Sequence, residues 1–196
     1  HAGAIERFLS PEQAAEFRRR VKTESHWLQE REGPPKLLYR NAGQGRFEVS
    51  PVSRSAEVWR NTFEATWRDF DHDGDVDLFV VNDFGTNNLL RNDGKDGFTD
   101  VTEQMGVKEL AFGMGASWGD YDNDGNEDVY VSNMYSKAGN RIMGLVGPKT
   151  QEFAIMARGN SLFRQGGNHH FERVSGQERP ALTVERAGWG WGRQFC

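Results

Sequence analysis

Trp67-Arg68-Asp69-Phe70-Asp71-His72-Asp73-Gly74-Asp75-Val76-Asp77-Leu78 returns 51 residues later as Trp118-Gly119-Asp120-Tyr121-Asp122-Asn123-Asp124-Gly125-Asn126-Glu127-Asp128-Val129. Both stretches read W-x-D-[FY]-D-x-D-G-x-x-D and run into apolar residues. Carboxylates at alternate positions, a glycine and one further aspartate suit a hard cation. Calcium takes about six to eight oxygen ligands, and a short loop can supply most of them. The glycine permits the reversal that brings the later ligands back towards the ion.

The spacing assigns the roles. In the first loop Asp69, Asp71, Asp73 and Asp77 are expected to give side-chain oxygens, and Asp75 its main-chain carbonyl. In the second, Asp120, Asp122, Asp124 and Asp128 do the same, with Asn126 as the carbonyl donor. Carboxylates this close repel one another, and a divalent ion relieves the repulsion. The expected cofactor is therefore Ca2+ at two sites. Solvated Asp-Gly and Asn-Gly turns are the competing reading. A matched pair of loops at equivalent repeat positions favours the metal. An EF-hand fits poorly, because its twelfth position should be Glu. Counted from Asp69 and Asp120, the twelfth residues are Val80 and Val131. Leu78-Phe79-Val80-Val81 and Val129-Tyr130-Val131 also read as strands, so each loop joins two strands.

Internal repetition extends beyond the loops. Leu37–Val49 reads as a strand, a glycine-rich turn and a strand, and the phrase returns at Leu89–Phe98 and Leu162–Phe171. Arg40 to Arg91 spans 51 residues, whereas Arg91 to Arg164 spans 73, so the last interval carries an insertion between Asn133 and Asn160. Within it Gly147-Pro148-Lys149-Thr150 followed by Gln151–Arg158, stopped by Gly159, reads as a short helix. Ile142, Met143, Leu145 and Val146 are expected to pack on the neighbouring sheet. Before the repeats, Ser10-Pro11-Glu12-Gln13 has the form of a helix start. Ala14, Phe17, Val21 and Leu28 continue it as an apolar stripe, and Gly33-Pro34-Pro35 ends it.

Four short strands in about 50 residues match one blade of a β-propeller. The predicted fold is mainly β: propeller-type repeats of four-stranded antiparallel blades forming a partial propeller, with an N-terminal helix and one short helical insertion. Residues 1–35 form a helical segment or inter-blade insertion. The repeat region, 36–196, divides into a partial unit at 36–50, units at 58–102 and at 111–175 with its insertion at 134–159, and a truncated unit at 186–196. Two acidic hairpins, three outer hairpins and one orphan entering strand do not close a ring, and open sheet edges invite pairing. A longer parent chain or a partner chain is expected to complete the sheet.

Composition narrows the function. The chain has 196 residues, with 24 basic against 29 acidic, 23 Gly and 6 Trp. The acidic excess lies largely in the two loops. No basic stripe interleaved with aromatics points to nucleic acid, and no apolar stretch reaches the length of a membrane span. Cys196 is the single cysteine, which excludes an internal disulfide and a Cys-type zinc site. The start at His1 rather than Met suggests a processed chain.

The loops, together with Phe112-Gly113-Met114-Gly115-Ala116-Ser117-Trp118-Gly119 before the second, resemble the FG-GAP/VCBS repeats, the calcium-binding propeller repeats of integrin α subunits and many secreted bacterial proteins. Ser136–Arg141, Asn160–Arg164 and Gly188–Gly192 resemble, more narrowly, the cartilage acidic protein-like (ASPIC/UnbV-associated) branch. The resemblance covers roughly residues 36–196. Thr62-Phe63-Glu64 departs from it where Gly-x-Gly is usual, and so does Gln165 where Asn is usual. It implies calcium-stabilised propellers, an extracellular or periplasmic location, and roles in adhesion, ligand binding or scaffolding.

No catalytic set converges. His169-His170 falls in a turn expected to face solvent, and the repeat-opening glycines are followed by neither a helix nor a Lys-Ser/Thr pair. The expected function is a non-enzymatic, calcium-binding extracellular module with a protein or glycan ligand. The alternatives are one section of a secreted polysaccharide-active enzyme, with Trp59, Trp67 and Trp118 near the sugar, and a structural subunit that assembles through sheet edges.

Overall fold

The computed structural model describes residues 9–23, 33–135, 150–176 and 178–186. Leu28, the side chains of Phe17 and Val21, Ser136–Arg141, Ile142–Val146 and Gly188–Cys196 lie outside this description.

Helix α1 (Pro11–Thr23) begins as its sequence dictates. The Ser10 amide donates to Gln13 Oε1 at 3.0 Å, and the Gln13 amide donates to Ser10 Oγ at 3.2 Å. This reciprocal pair satisfies two N–H groups that a helix start leaves open. Strands β1 (Tyr39–Gly43) and β2 (Arg46–Val49) form a separate antiparallel hairpin.

The first acidic loop lies between β3 (Asn61–Arg68) and β4 (Asp77–Asp83). A two-residue strand β5 (Gly85–Thr86) follows, then β6 (Asn88–Asn92) and β7 (Phe98–Asp100). Strands β3-β4-β6-β7 make one four-stranded antiparallel sheet. The second unit repeats it. After β8 (Leu110–Ala111), strand β9 (Gly113–Gly119) enters the second acidic loop and β10 (Asp128–Asn133) leaves it. Helix α2 (Thr150–Met156) comes next, and β11 (Ser161–Gln165) and β12 (Phe171–Arg173) complete a second sheet, ordered β9-β10-β11-β12. The chain is mainly β, and both repeats form the four-stranded antiparallel sheet their sequence predicts. β5 and β8 pair with each other and lace the two units together.

Burial explains the apolar run after the first loop. Every residue of β4 is buried. Phe79 and Val81 join a core shared with the second sheet, which includes Val129, Val131, Phe163 and Phe171. Leu78 and Val80 face the opposite way, onto Ala56, Leu90 and Phe98. A strand covered on both faces needs a continuous rather than an alternating apolar sequence. Each such side chain contributes about 1.5–3 kcal/mol of burial.

A buried ionic network closes the second sheet. Arg173 Nη1 lies 3.0 Å from Glu109 and Nη2 lies 2.9 Å from Glu185. The Ser161 hydroxyl and Asn133 Nδ2 also donate to Glu109. Burial is the largest cause pushing the Glu109 carboxyl above its ordinary range, and Arg173 acts against it.

β9 packs against β3 and β4 of the first sheet. The contact explains one glycine. A Cβ on Gly113 would sit 2.6 Å from Val81 Cγ1 and 2.7 Å from the Asn82 carbonyl oxygen. The first repeat carries Thr62 at this place, and its hydroxyl donates to Asn82 Oδ1 at 2.7 Å. Gly113→Ala is expected to push the sheets apart and cost about 1–3 kcal/mol, the usual penalty of overpacking. Urea unfolding measures the loss.

Candidate metal centre

The loops turn through left-handed backbone at equivalent points. His72 and Gly74 have φ of 59° and 96°, and Asn123 and Gly125 have 60° and 88°. Nothing lies within 4 Å of a Cβ built on Gly74 or Gly125. Conformation, not space, therefore calls for glycine there.

The last aspartate of each loop fastens the turn. Asp77 Oδ2 accepts the Phe70 amide at 3.0 Å, and Oδ1 accepts the Asn92 amide at 2.8 Å. Asp128 repeats both contacts, with the Tyr121 amide at 3.0 Å and the Gln165 amide at 2.9 Å. The first aspartate closes the middle of the loop. Asp69 Oδ2 accepts the Gly74 amide at 3.1 Å, and Asp120 accepts those of Asp124 and Gly125 at 3.0 and 2.9 Å.

These bonds assemble two sets of carboxylates. Oxygens of Asp69, Asp71 and Asp77 lie within 4.8 Å of one another in the first loop, as do oxygens of Asp120, Asp122 and Asp124 in the second. The memberships differ. The terminal Asp77 joins the first set, whereas the fifth-position Asp124 joins the second. Asp73 stands apart, accepting the Asp75 amide at 2.9 Å, and Asp128 is held by its two amides. Asp75 is exposed in its turn, and Asn126 donates its amide and its Nδ2 to Asp124, each at 2.9 Å.

The residues fit a cation. Asp69 Oδ1 and Asp71 Oδ1 are buried and have no hydrogen-bond partner. A buried charged oxygen without a partner is costly, and an all-oxygen donor set is what a hard divalent ion takes. In the second loop Arg164 Nε lies 2.7 Å from Asp122 and Nη2 lies 3.0 Å from Asp124. The spacing of the loop gives no sign of this arginine. Its one signal is the arginine that recurs in the outer-hairpin phrase, at Arg40, Arg91 and Arg164.

Cross-contacts bind the loops to the opposite repeat. Gln165 Nε2 donates to the Phe70 carbonyl at 2.7 Å, and Arg68 pairs with Glu127. His169 faces solvent only in part. It is half-buried and meets His72 edge-on at 5.8 Å, while His170 is exposed. Of the tryptophans, Trp118 donates to Thr66 Oγ1 and packs on Phe79 and Phe171, and Trp59 donates to Glu57. Trp67 remains 46% exposed.

Residues 69–131 match the family model of an FG-GAP-like repeat. The match runs from the first aspartate of the first loop to β10 beyond the second, so both acidic loops lie within it. No curated protein matches the chain. Among the described residues, no helix is long and apolar enough to cross a membrane.

Two predictions follow from the different work of these aspartates. Without calcium, Asp77→Ala leaves the Phe70 and Asn92 amides unpaired and is expected to cost about 1–3 kcal/mol. Asp71→Ala, which removes an unpartnered oxygen, is expected to be neutral or slightly stabilising under the same conditions. Chemical denaturation of both variants in chelator checks the contrast.

The second concerns pH. Burial is the largest cause pushing Asp77 up from 3.8 to about 6; the amides of Asn92 and Phe70 oppose it, and the charges of Asp71 and Asp73 add to it. Asp128 moves the same way, again chiefly through burial. The folded chain therefore holds protons that the unfolded chain releases, so the metal-free stability falls as pH rises from about 4 to about 7. Metal binding requires ionised carboxylates, so saturating calcium is expected to reverse the slope. Thermal melts across this range, with and without calcium, read the sign.

Proposed function

We propose that this chain is a calcium-binding β-propeller-type repeat module that acts outside the cytosol in adhesion, ligand binding or scaffolding, and that it is not itself an enzyme. The observation that carries the reading is the buried, unpartnered oxygen on each of Asp69 and Asp71, two residues that also bring carboxylate oxygens within 4.8 Å of one another and of Asp77. In the first loop Asp69, Asp71 and Asp77 hold the ion, with Asp73 and the Asp75 carbonyl completing its oxygen set. In the second, Asp120, Asp122 and Asp124 do so, with Asp128 and the Asn126 carbonyl. Calcium supplies positive charge that neutralises the clustered carboxylates.

The FG-GAP-like match supports the propeller-type architecture. The narrower placement in the ASPIC/UnbV-associated branch rests on the sequence resemblance of Asn160–Arg164, most of which lies in β11. The setting proposed is extracellular or periplasmic, where calcium is plentiful enough to fill sites of the modest affinity typical of extracellular calcium modules, about 10⁻⁴–10⁻³ M. The partner is a protein or glycan ligand, and further blades or a second chain pair with the sheet edges.

Calorimetry on chelator-stripped protein, run beside thermal melts, tests the reading. Binding of two ions with a clear rise in melting temperature is expected. The double variant Asp71→Ala with Asp122→Ala is expected to lose both the heat and the rise. No binding by the unaltered chain at millimolar calcium would refute the proposal.

A further inference from the structure

Arg91 and Arg164 occupy the same place in their repeats. Each lies in the third strand of its sheet, one residue before the residue whose amide meets the loop's last aspartate. Their side chains behave differently. The Arg164 guanidinium reaches across to the second loop, with Nε 2.7 Å from Asp122 Oδ2 and Nη2 3.0 Å from Asp124 Oδ2. These are two of the three carboxylates that the loop offers to a cation. Arg91 turns instead to Asp93, with Nε 2.8 Å from Oδ1. The other oxygen of Asp93 accepts the Thr99 hydroxyl, which fixes the acid in its turn. Two residues after Arg164 the chain has Gly166, so the second repeat has no acid at this position to hold its arginine aside.

Among the described residues no guanidinium pairs directly with the carboxylates of the first loop, although Arg91 stays near enough to feel the charges of Asp71 and Asp73, and Asp69 Oδ1 and Asp71 Oδ1 are buried without a partner. The second loop already has a positive charge on Asp122 and Asp124. A metal ion and a guanidinium on the same carboxylates repel each other and compete for their charge, so each weakens the hold of the other. The Arg164 side chain is 45% exposed and can swing into water at modest cost.

We propose that Arg164 is a built-in competitor for the cation of the second loop, and that Asp93 keeps Arg91 from playing this part in the first. The two loops then fill in order, the first at lower calcium and the second at higher. The inference rests on the reading of both loops as calcium sites. It gives near-identical loops different working ranges through one residue outside either loop. It also makes the first loop the one whose folded form depends on the ion, because the second carries its own counter-charge.

Calcium calorimetry on the chelator-stripped chain and its variants tests this. The unaltered chain is expected to show a tighter and a weaker site, with Asp71→Ala removing the tighter and Asp122→Ala the weaker. Arg164→Gln is expected to tighten the weaker site by about two- to fivefold, the scale of a partly exposed ion pair, and to leave the tighter one unchanged. Asp93→Asn is expected to weaken the tighter site alone. In melts, Arg164→Gln is expected to lower the melting temperature without calcium and to lose that deficit when calcium saturates. Two sites whose affinities ignore both substitutions would overturn the inference while leaving the calcium reading intact. So would a melting deficit that persists unchanged in calcium, which marks a purely structural ion pair. An absence of binding in every form would overturn the calcium reading and the inference together.

Discussion

One carboxylate at the end of each acidic loop fixes three parts of its repeat. Asp77 begins β4, receives the amide of Phe70 from the start of its own loop, and receives the amide of Asn92 from the end of β6. Asp128 does the same for β10, Tyr121 and Gln165. Loop, inner hairpin and outer hairpin are thus tied at one charged group that is itself buried. A charge in such a place is tolerated only while its oxygens are engaged. The turn that gathers the other carboxylates and the register of the third strand therefore follow from the same two hydrogen bonds.

The loops are also where the repeats meet. Phe70, in the first loop, gives its ring to the shared core and its carbonyl to Gln165 of the second sheet. Arg68 reaches Glu127 in the opposite loop. On this arrangement, what happens to the charge of either loop is felt at the packing between the sheets. That is a physical reason for placing acidic turns at a junction rather than at an outlying tip.

Much of this was legible in the sequence because it is local or periodic. The Ser10/Gln13 capping pair, the two D-x-D-x-D-G turns and the apolar run of β4 each declare themselves within a dozen residues. The 51-residue spacing then predicts that what forms once forms twice. What was not legible depends on side chains brought together from afar. Arg164 meets Asp124 across 40 residues, and Ser161 meets Glu109 across 52. Spacing within a loop cannot say that Asp77 joins one carboxylate set while Asp124 joins the other. Nor could composition reveal that a half-buried His169 meets the exposed His72, since the two lie almost a hundred residues apart. The β5–β8 ladder is two residues long on each side, too short for any periodic signal.

The insertion in the second repeat has a kinetic consequence. Strands β4 and β6 are joined by residues 84–87, whereas β10 and β11 are separated by residues 134–160. Closing the longer connection costs roughly 1.5–2 kcal/mol more chain entropy if both behave as flexible loops. The inner and outer hairpins of the first sheet therefore find each other sooner, and the second sheet is assembled against a template that is already standing. Folding in a chain of such repeats starts where local contacts are cheapest and spreads to its neighbour. By that rule the length of one connection sets the order in which two otherwise matching units come into being.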